Sequence, residues 1–226
     1  MGIGASQTVV CSTYGHPEFE IRTRGLPDFL LSFLVDYLET SVAQGSKFEP
    51  GQTIQMGSRL LRIAPANDKL TLLERVPNAP ETWDLGVSRT MLAMYRQRCA
   101  LESVGLGAHL AYPVPGAPAL LCRRAEHASS SVFVRQRSED ARSSGWAVLC
   151  TDEEHDHDDD GELLATTVDA LSDQVPLFSL FLAMPAGTLV IRDGSAVVAL
   201  DFERAPLAVQ RGSFLDRLRL EHGWAI

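Results

Sequence analysis

Apolar residues recur at helical spacing in two stretches of the first half of the chain. Residues 27–45 open with Pro27, end at Gly45 and carry apolar positions three and four residues apart, which predicts a helix. Its predicted apolar positions are Phe29, Leu30, Phe33, Leu34, Tyr37, Leu38 and Val42. A second helix is predicted over residues 88–104, with Met91, Met94, Tyr95 and Leu101 facing inward.

Strand-like runs lie between and after these helices. In the first half they cover residues 53–64 and 69–76, and the proline-containing segment after them is predicted as a loop. In the second half they cover residues 119–123, 131–136 and 145–151. Asp193-Gly194 between two apolar runs predicts a hairpin, Thr166 or Thr167 could cap a short helix, and residues 213–223 could form a last helix.

The order of these elements favours an α+β fold, because strands and helices mix without regular alternation. Residues 111–119 are rich in proline and glycine and are predicted as a linker, with a domain boundary near Val114. We therefore expect an irregular segment 1–20, an α+β domain 21–113, a second α+β domain 114–205 and a tail 206–226. Each domain is expected to hold a mainly antiparallel sheet with one or two packed helices.

Composition places the chain among ordinary soluble proteins, with 45% hydrophobic and 22% charged residues in 226. No apolar run is long enough to span a membrane, and the N-terminus lacks the features of a secretory signal, so a cytoplasmic location is expected. Cys11, Cys99, Cys122 and Cys150 form no C-x-x-C pair. They are expected to be reduced, with Cys122 and Cys150 as small buried apolar residues.

Negative charge is concentrated in one region. The formal net charge is −9, and the 49 residues from Ser143 to Ile191 contain ten carboxylates and no lysine or arginine. The rest of the chain therefore carries about +1, and eight of the ten carboxylates lie in the run CTDEEHDHDDDGE, residues 150–162. A local negative field of this kind argues against nucleic acid as a partner of this face.

The acidic run could bind a metal ion, because His155 and His157 lie among carboxylates. Its spacing matches neither the H-E-x-x-H motif nor the calcium-binding loop of an EF-hand, so no functional metal is assigned and the two histidines remain an alternative. Catalysis needs an acid and a base in different environments, whereas these carboxylates share one. With no nucleophile motif, phosphate-binding loop or dinucleotide fingerprint either, we expect no enzyme activity and no cofactor.

A recognition surface for a basic partner suits the acidic run better, since clustered carboxylates steer cationic proteins and accept bonds from arginine. A run that is merely solvated remains an alternative. Trp146 could be a buried core residue or an exposed anchor for the partner. The residues predicted to contact the partner are Asp152, Glu153, Glu154, Asp156, Asp158, Asp159, Asp160 and Trp146.

Residues 143–193 resemble the bacterial immunity protein thirty-three family. The shared features are Ser144-Gly145-Trp146 on a strand, an acidic stretch over residues 152–160, a helix over residues 163–171, an aliphatic segment over residues 180–183, and Pro185-Ala186-Gly187-Thr188 before a strand. The resemblance covers about residues 119–202, and it departs at Ser143, where the family usually has aspartate.

This resemblance implies a non-catalytic, cytoplasmic antidote that binds and neutralises a cognate toxin delivered by neighbouring cells. The toxin would present a basic face to the acidic run, and neither nucleic acid nor membrane is expected as a partner. A metal-binding protein or metal-dependent enzyme using His155 and His157, or a regulatory or scaffold protein, remains the alternative.

Overall fold

The computed structural model of the chain describes residues 3–125, 128–138, 140, 142–152, 155–157 and 161–222. Within these residues it has two mixed sheets of six strands each and four α-helices, which confirms the α+β prediction. The chain divides into two units, Met1–Tyr95 and Arg96–Ile226, and each has its own apolar core. None of the helices in the described part of the chain is long and apolar enough to cross a membrane.

The first unit is built around one sheet and one complete helix. Its elements are β1 (Ile3–Gln7), β2 (Phe19–Arg24), α1 (Asp28–Ala43), β3 (Thr53–Met56), β4 (Arg59–Ala66), β5 (Lys69–Val76) and β6 (Ala79–Leu85). A 3₁₀ turn covers Cys11–Tyr14. The strand order is β1-β2-β5-β4-β3, with β6 also paired to β5, and only the β2–β5 pair is parallel.

The sequence analysis missed three strands of this sheet, β1, β2 and β6. Residues 1–20, predicted as irregular, contain β1 and the start of β2. The loop predicted over residues 76–83, which contains two prolines, includes most of β6. Among the described strands, β6 pairs with β5 alone and so lies at an edge. Proline is tolerated in an edge strand because the N–H that it lacks would point away from the sheet, where no neighbouring strand accepts a hydrogen bond.

The predicted first helix is confirmed as α1, although its buried face is narrower than predicted. Leu30, Leu34, Leu38 and Val42 are buried, whereas Phe29, Phe33 and Tyr37 are exposed. A helix that packs on one side of a sheet buries only one stripe, and the apolar positions of α1 spread over a wider arc.

The second predicted helix is confirmed as α2 (Ser88–Ser103), and the division between the two units falls inside it. The remaining elements are β7 (Pro118–Cys122), β8 (Ser130–Arg135), β9 (Trp146–Cys150), β10 (Leu163–Thr167), α3 (Val168–Gln174), β11 (Leu189–Asp193), β12 (Ala196–Leu200) and α4 (Phe214–His222). Two 3₁₀ turns cover Gly107–His109 and Phe178–Leu180. The second sheet has the order β10-β7-β9-β8-β11-β12, and only the β7–β9 pair is parallel.

The proline-rich segment 111–119 lies inside the second unit. The division between the units falls at Tyr95–Arg96, and Val114 lies 18 residues after Arg96. The N–H of Ala111 donates to the carbonyl of Ala183 at 2.8 Å, and the carbonyl of Ala117 accepts from Val168 at 3.0 Å. These bonds, together with β7 beginning at Pro118, tie the segment to the second sheet.

Candidate metal centre

The topology of the second sheet brings the acidic run over the ends of two strands. β7 and β9 are parallel neighbours, so Cys122 and Cys150, their last residues, lie at the same edge of the sheet. The chain that leaves Cys150 returns as β10 on the far side of β7, where Leu163 pairs with Cys122. The segment 151–162 must therefore cross the end of β7.

This crossing places two histidines against the two cysteines. Nε2 of His155 lies 3.4 Å from Sγ of Cys122, and Nε2 of His157 lies 3.4 Å from Sγ of Cys150. The two imidazole rings are 4.7 Å apart and nearly perpendicular. All four donor atoms lie within 4.8 Å of one another.

Two of the six distances between the donor atoms match those of a tetrahedral metal site, and the four atoms are close enough together to share one ion. Zinc–sulfur bonds of about 2.3 Å and zinc–nitrogen bonds of about 2.0–2.1 Å put the ligand atoms of a tetrahedron about 3.3–3.8 Å apart. The two sulfur–nitrogen distances of 3.4 Å fall in this range. Two thiolates and two imidazoles form one of the standard structural zinc sets and suit neither calcium nor magnesium, which prefer oxygen.

Burial of the donors argues for a structural role. Cys122 is 0% exposed, Cys150 6% and His155 7%, while His157 is half-buried. A nucleophilic cysteine beside a histidine would need access for a substrate, which the buried pair Cys122–His155 lacks. With four protein donors, a tetrahedral ion also has no open position for water or substrate.

The surroundings of Cys150 change the pKa of its thiol. Burial raises its pKa above the ordinary value, the backbone N–H of Asp152 opposes this rise, and the nearby thiol of Cys122 adds to it. A raised pKa keeps the cysteine protonated when no cation is bound. Zinc coordinates the thiolate, so metal binding at this site would release protons.

Two arginines that directly follow Cys122 hold the two ends of the crossing segment. Nη1 of Arg124 lies 2.8 Å from the carboxylate of Asp152. Nε of Arg123 donates to the carbonyl of Gly161 at 2.8 Å, and its backbone N–H donates to the carbonyl of Glu162 at 3.1 Å. Although the segment itself has no basic residue, the fold thus supplies two, and the charge of Asp152 is paired.

The carboxylates predicted to contact a partner are only partly described. Asp152 and Asp156 are exposed. The carboxylate of Glu162, which was not in the predicted set, lies 3.7 Å from Nε2 of His155. Glu153, Glu154, Asp158, Asp159 and Asp160 lie outside the described residues.

Trp146 lies in the core and offers no surface to a partner, so the core interpretation of this residue agrees with the structure. Its side chain is 1% exposed, its ring packs edge-on against Phe178 at 5.0 Å, and its Nε1 donates to the carbonyl of Leu182 at 3.3 Å. The guanidinium of Arg135 lies 5.7 Å from the ring centroid. Trp146, Val148 and Cys150 are two residues apart along β9, so their side chains lie on the same face of the sheet, which is the core face.

The Ser-Gly-Trp motif has a structural explanation as well. The hydroxyl of Ser144 donates to the carbonyl of Pro118 at 2.6 Å and accepts from the N–H of Trp146 at 3.1 Å. Gly145 has φ +71°, and a Cβ there would lie 2.2 Å from the carbonyl oxygen of Gln136. The motif therefore fixes the entrance to β9.

Sequence reasoning identified the two histidines as candidate metal ligands but did not identify either cysteine as one. Cys122 lies 28 positions before Cys150, and both end apolar strand-like runs, so each was interpreted as a small core residue. The compact spacing Cys150-x₄-His155-x-His157 was the available signal, because it puts three zinc-type donors within eight residues.

In the comparisons with known proteins, no family model matches the chain, and no curated protein or solved structure is similar to it. The resemblance to the immunity family, and the toxin partner that it implies, therefore stay predictions.

Proposed function

We propose that this protein is a non-catalytic binding protein whose second unit holds a structural zinc ion and thereby presents the acidic segment 150–162 as a contact surface. The observation that carries this proposal is the meeting of four zinc-type donor atoms within 4.8 Å, where the acidic segment crosses β7. Zinc would be bound by Cys122, Cys150, His155 and His157. A cytoplasmic location, where thiols stay reduced, suits such a centre.

A zinc ion here would add a fixed point in the middle of the acidic segment. Arg124 holds the start of the segment at Asp152, and Arg123 holds its end at Gly161. Coordination of His155 and His157 would hold the residues between these points. Exposed carboxylates on a segment held in this way keep a defined position, which favours recognition of a basic surface.

Metal content tests the centre. The protein is expressed without a histidine tag, and zinc is measured by elemental analysis in the wild type, in Cys122→Ser/Cys150→Ser and in Cys99→Ser. Cys99 is a half-buried cysteine outside the cluster, so its variant is the matched control. We expect about one zinc per chain in the wild type and in Cys99→Ser, and none in the double variant.

His157→Gln supplies a variant that leaves the buried cysteines in place, because His157 is only half-buried. It should weaken zinc binding by at least about tenfold while circular dichroism stays that of the wild type. A wild type without zinc, or a double variant that keeps it, would contradict the centre.

For the acidic surface, we propose that its partner is a cognate toxin with a basic face, which the protein neutralises without catalysis. Support comes from the resemblance of residues 143–193 to an immunity family and from the exposed carboxylates Asp152 and Asp156. Electrostatic steering by such a surface raises association rates and weakens with salt.

Copurification with the toxin encoded beside the gene tests this role. Affinity and its salt dependence are compared between the wild type, a variant of the acidic segment, and a control with the same change of charge in the first unit. The first variant carries Asp156→Asn, Asp158→Asn, Asp159→Asn and Asp160→Asn. The control carries Asp28→Asn, Asp36→Asn, Asp68→Asn and Glu81→Gln, all at exposed positions. Equal affinity and equal salt dependence of the two variants would refute the acidic surface.

A further inference from the structure

One buried hydroxyl beside the metal centre has no acceptor. Ser131 on β8 is 1% exposed, and its Oγ has no hydrogen-bond partner among the described residues. Buried hydroxyl groups are nearly always hydrogen-bonded, because burial without a partner forfeits their bonds to water. An unsatisfied hydroxyl at a core position therefore indicates that its acceptor forms only when a ligand is bound nearby.

The strand register indicates which acceptor this is. Ser131 pairs directly with Cys150 on β9, two positions along from the core pair Phe133–Val148. Residues that face each other in an antiparallel pair point to the same side of the sheet, so the side chains of Ser131 and Cys150 leave on one face. On its other side, Ser131 pairs with Arg192, whose guanidinium has donors only. Of these two cross-strand neighbours, only Cys150 can accept a hydrogen bond.

We propose that Ser131 is a positioning residue of the metal centre, whose hydroxyl donates a hydrogen bond to the Cys150 thiolate when zinc is bound. This inference rests on the zinc centre proposed above. A neutral thiol is a weak acceptor, whereas a metal-bound thiolate carries negative charge and accepts strongly. Formation of the bond would need only a change in the χ1 rotamer of Ser131, because the two residues already pair across the strands.

The hydrogen bond from Ser131 would give the sulfur of Cys150 a second hydrogen-bond donor. Cys150 already interacts with the backbone N–H of Asp152, and a second donor from β8 would approach from the opposite side of β9 from Cys122. Hydrogen bonds to a ligating thiolate fix its orientation and withdraw electron density from it. Loss of one such outer-shell partner typically weakens metal binding by about 10–100-fold.

Three variants separate this role from general packing. Ser131→Ala removes the hydroxyl, Ser131→Thr retains it on a residue that suits a strand, and Ser172→Ala is the control. Ser172 is also buried, but its hydroxyl bonds to the carbonyl of Val168 in its own helix, at 2.7 Å. Zinc affinity is measured by competition with a chromophoric chelator. Cobalt(II) substitution then reports the thiolate-to-metal charge-transfer band.

We expect Ser131→Ala to bind zinc about tenfold more weakly and to shift the charge-transfer band to lower energy, because its thiolate is the better electron donor. Ser131→Thr and Ser172→Ala should behave like the wild type. If Ser131→Ala matches the wild type in both measurements, the metal centre stands and the role of Ser131 is refuted. A weaker affinity with an unshifted band and no rescue by threonine would also refute it, as it indicates packing. A wild type that binds neither ion refutes the centre itself, and this inference with it.

Discussion

Substitution of Gly145 by alanine tests whether the Ser-Gly-Trp motif is a structural device. Gly145 has φ +71°, in the left-handed region, and its Cβ would lie 2.2 Å from the carbonyl oxygen of Gln136. Real Cβ atoms essentially never approach an atom within 3.0 Å, so the backbone at Gly145 or at Gln136 must move by about 1 Å or more. The N–H of Gln136 donates to the carbonyl of Gly145 at 2.8 Å, so this movement acts on a backbone hydrogen bond.

The expected destabilisation is the sum of three effects. The left-handed backbone costs alanine about 1–2 kcal/mol. Weakening of the Gln136–Gly145 bond costs about 0.5–1.5 kcal/mol. Displacement of the adjacent, fully packed Trp146 costs about 1–2 kcal/mol, as overpacking of a core does. We therefore expect a loss of about 3–5 kcal/mol.

Gly194→Ala is the matched control, because it isolates the first of these effects in the same unit. Gly194 has φ +56° in the β11–β12 turn, and nothing lies within 4 Å of a Cβ placed there. Its variant should lose only about 1–2 kcal/mol. Urea unfolding followed by tryptophan fluorescence gives both values. Equal losses for the two variants would show that the approach to Gln136 costs nothing, and the structural explanation of the motif would be wrong.

Two further predictions concern half-buried charged groups, one in each unit. Burial alone would raise the pKa of Glu18, but hydrogen bonds from Thr8 and from backbone N–H groups outweigh it and lower the pKa, so the carboxylate stabilises the fold when charged. Glu18→Gln should lower the free energy of unfolding by about 1–2 kcal/mol at pH 7. Because the folded-state pKa of Glu18 is lowered, the difference in unfolding free energy between variant and wild type should narrow as pH falls below about 4. A difference that stays constant down to pH 3 in urea titrations would contradict this. In the second unit, Arg135 donates to the carbonyls of Ala111 and Met184 in a site where burial lowers its pKa. Arg135→Met should lose about 2–4 kcal/mol in urea unfolding because these carbonyls lose their donor, whereas the exposed control Arg137→Met should stay within about 0.5 kcal/mol.

The fold class and the main helices followed from the sequence because their signals are local. Helical spacing between Pro27 and Gly45 predicted α1, and Asp193-Gly194 predicted the β11–β12 hairpin, since each pattern depends on neighbours in the chain. β1, β2 and β6 were missed because their strand character depends on a partner distant in sequence or on an edge position. The exposed face of α1 was missed because spacing shows which positions are apolar but not how much of the arc the sheet covers.

Only half of the candidate metal centre could be predicted from the sequence, and the reason is the topology of the sheet. His155 and His157 stand out as histidines among carboxylates, whereas Cys122 becomes a neighbour only through the parallel pairing of β7 with β9. A parallel pair joins residues separated by a long crossover, and no local pattern marks its register. In a single sequence, Cys122 and a core cysteine look the same.

The arrangement also explains why so acidic a run lies beside a cysteine–histidine cluster. Eight carboxylates within 13 residues repel one another, by about 0.6 kcal/mol for each pair about 7 Å apart in water, so the segment favours extension over folding back on the sheet. Arg123 and Arg124 oppose this repulsion near the ends of the segment, at Gly161 and Asp152. A divalent cation at His155 and His157 would add positive charge in the middle of the segment. Under the proposed function, the negative charge that binds the partner also works against order in the segment. A metal ion held by the four donors of this cluster would stabilise the segment at its centre.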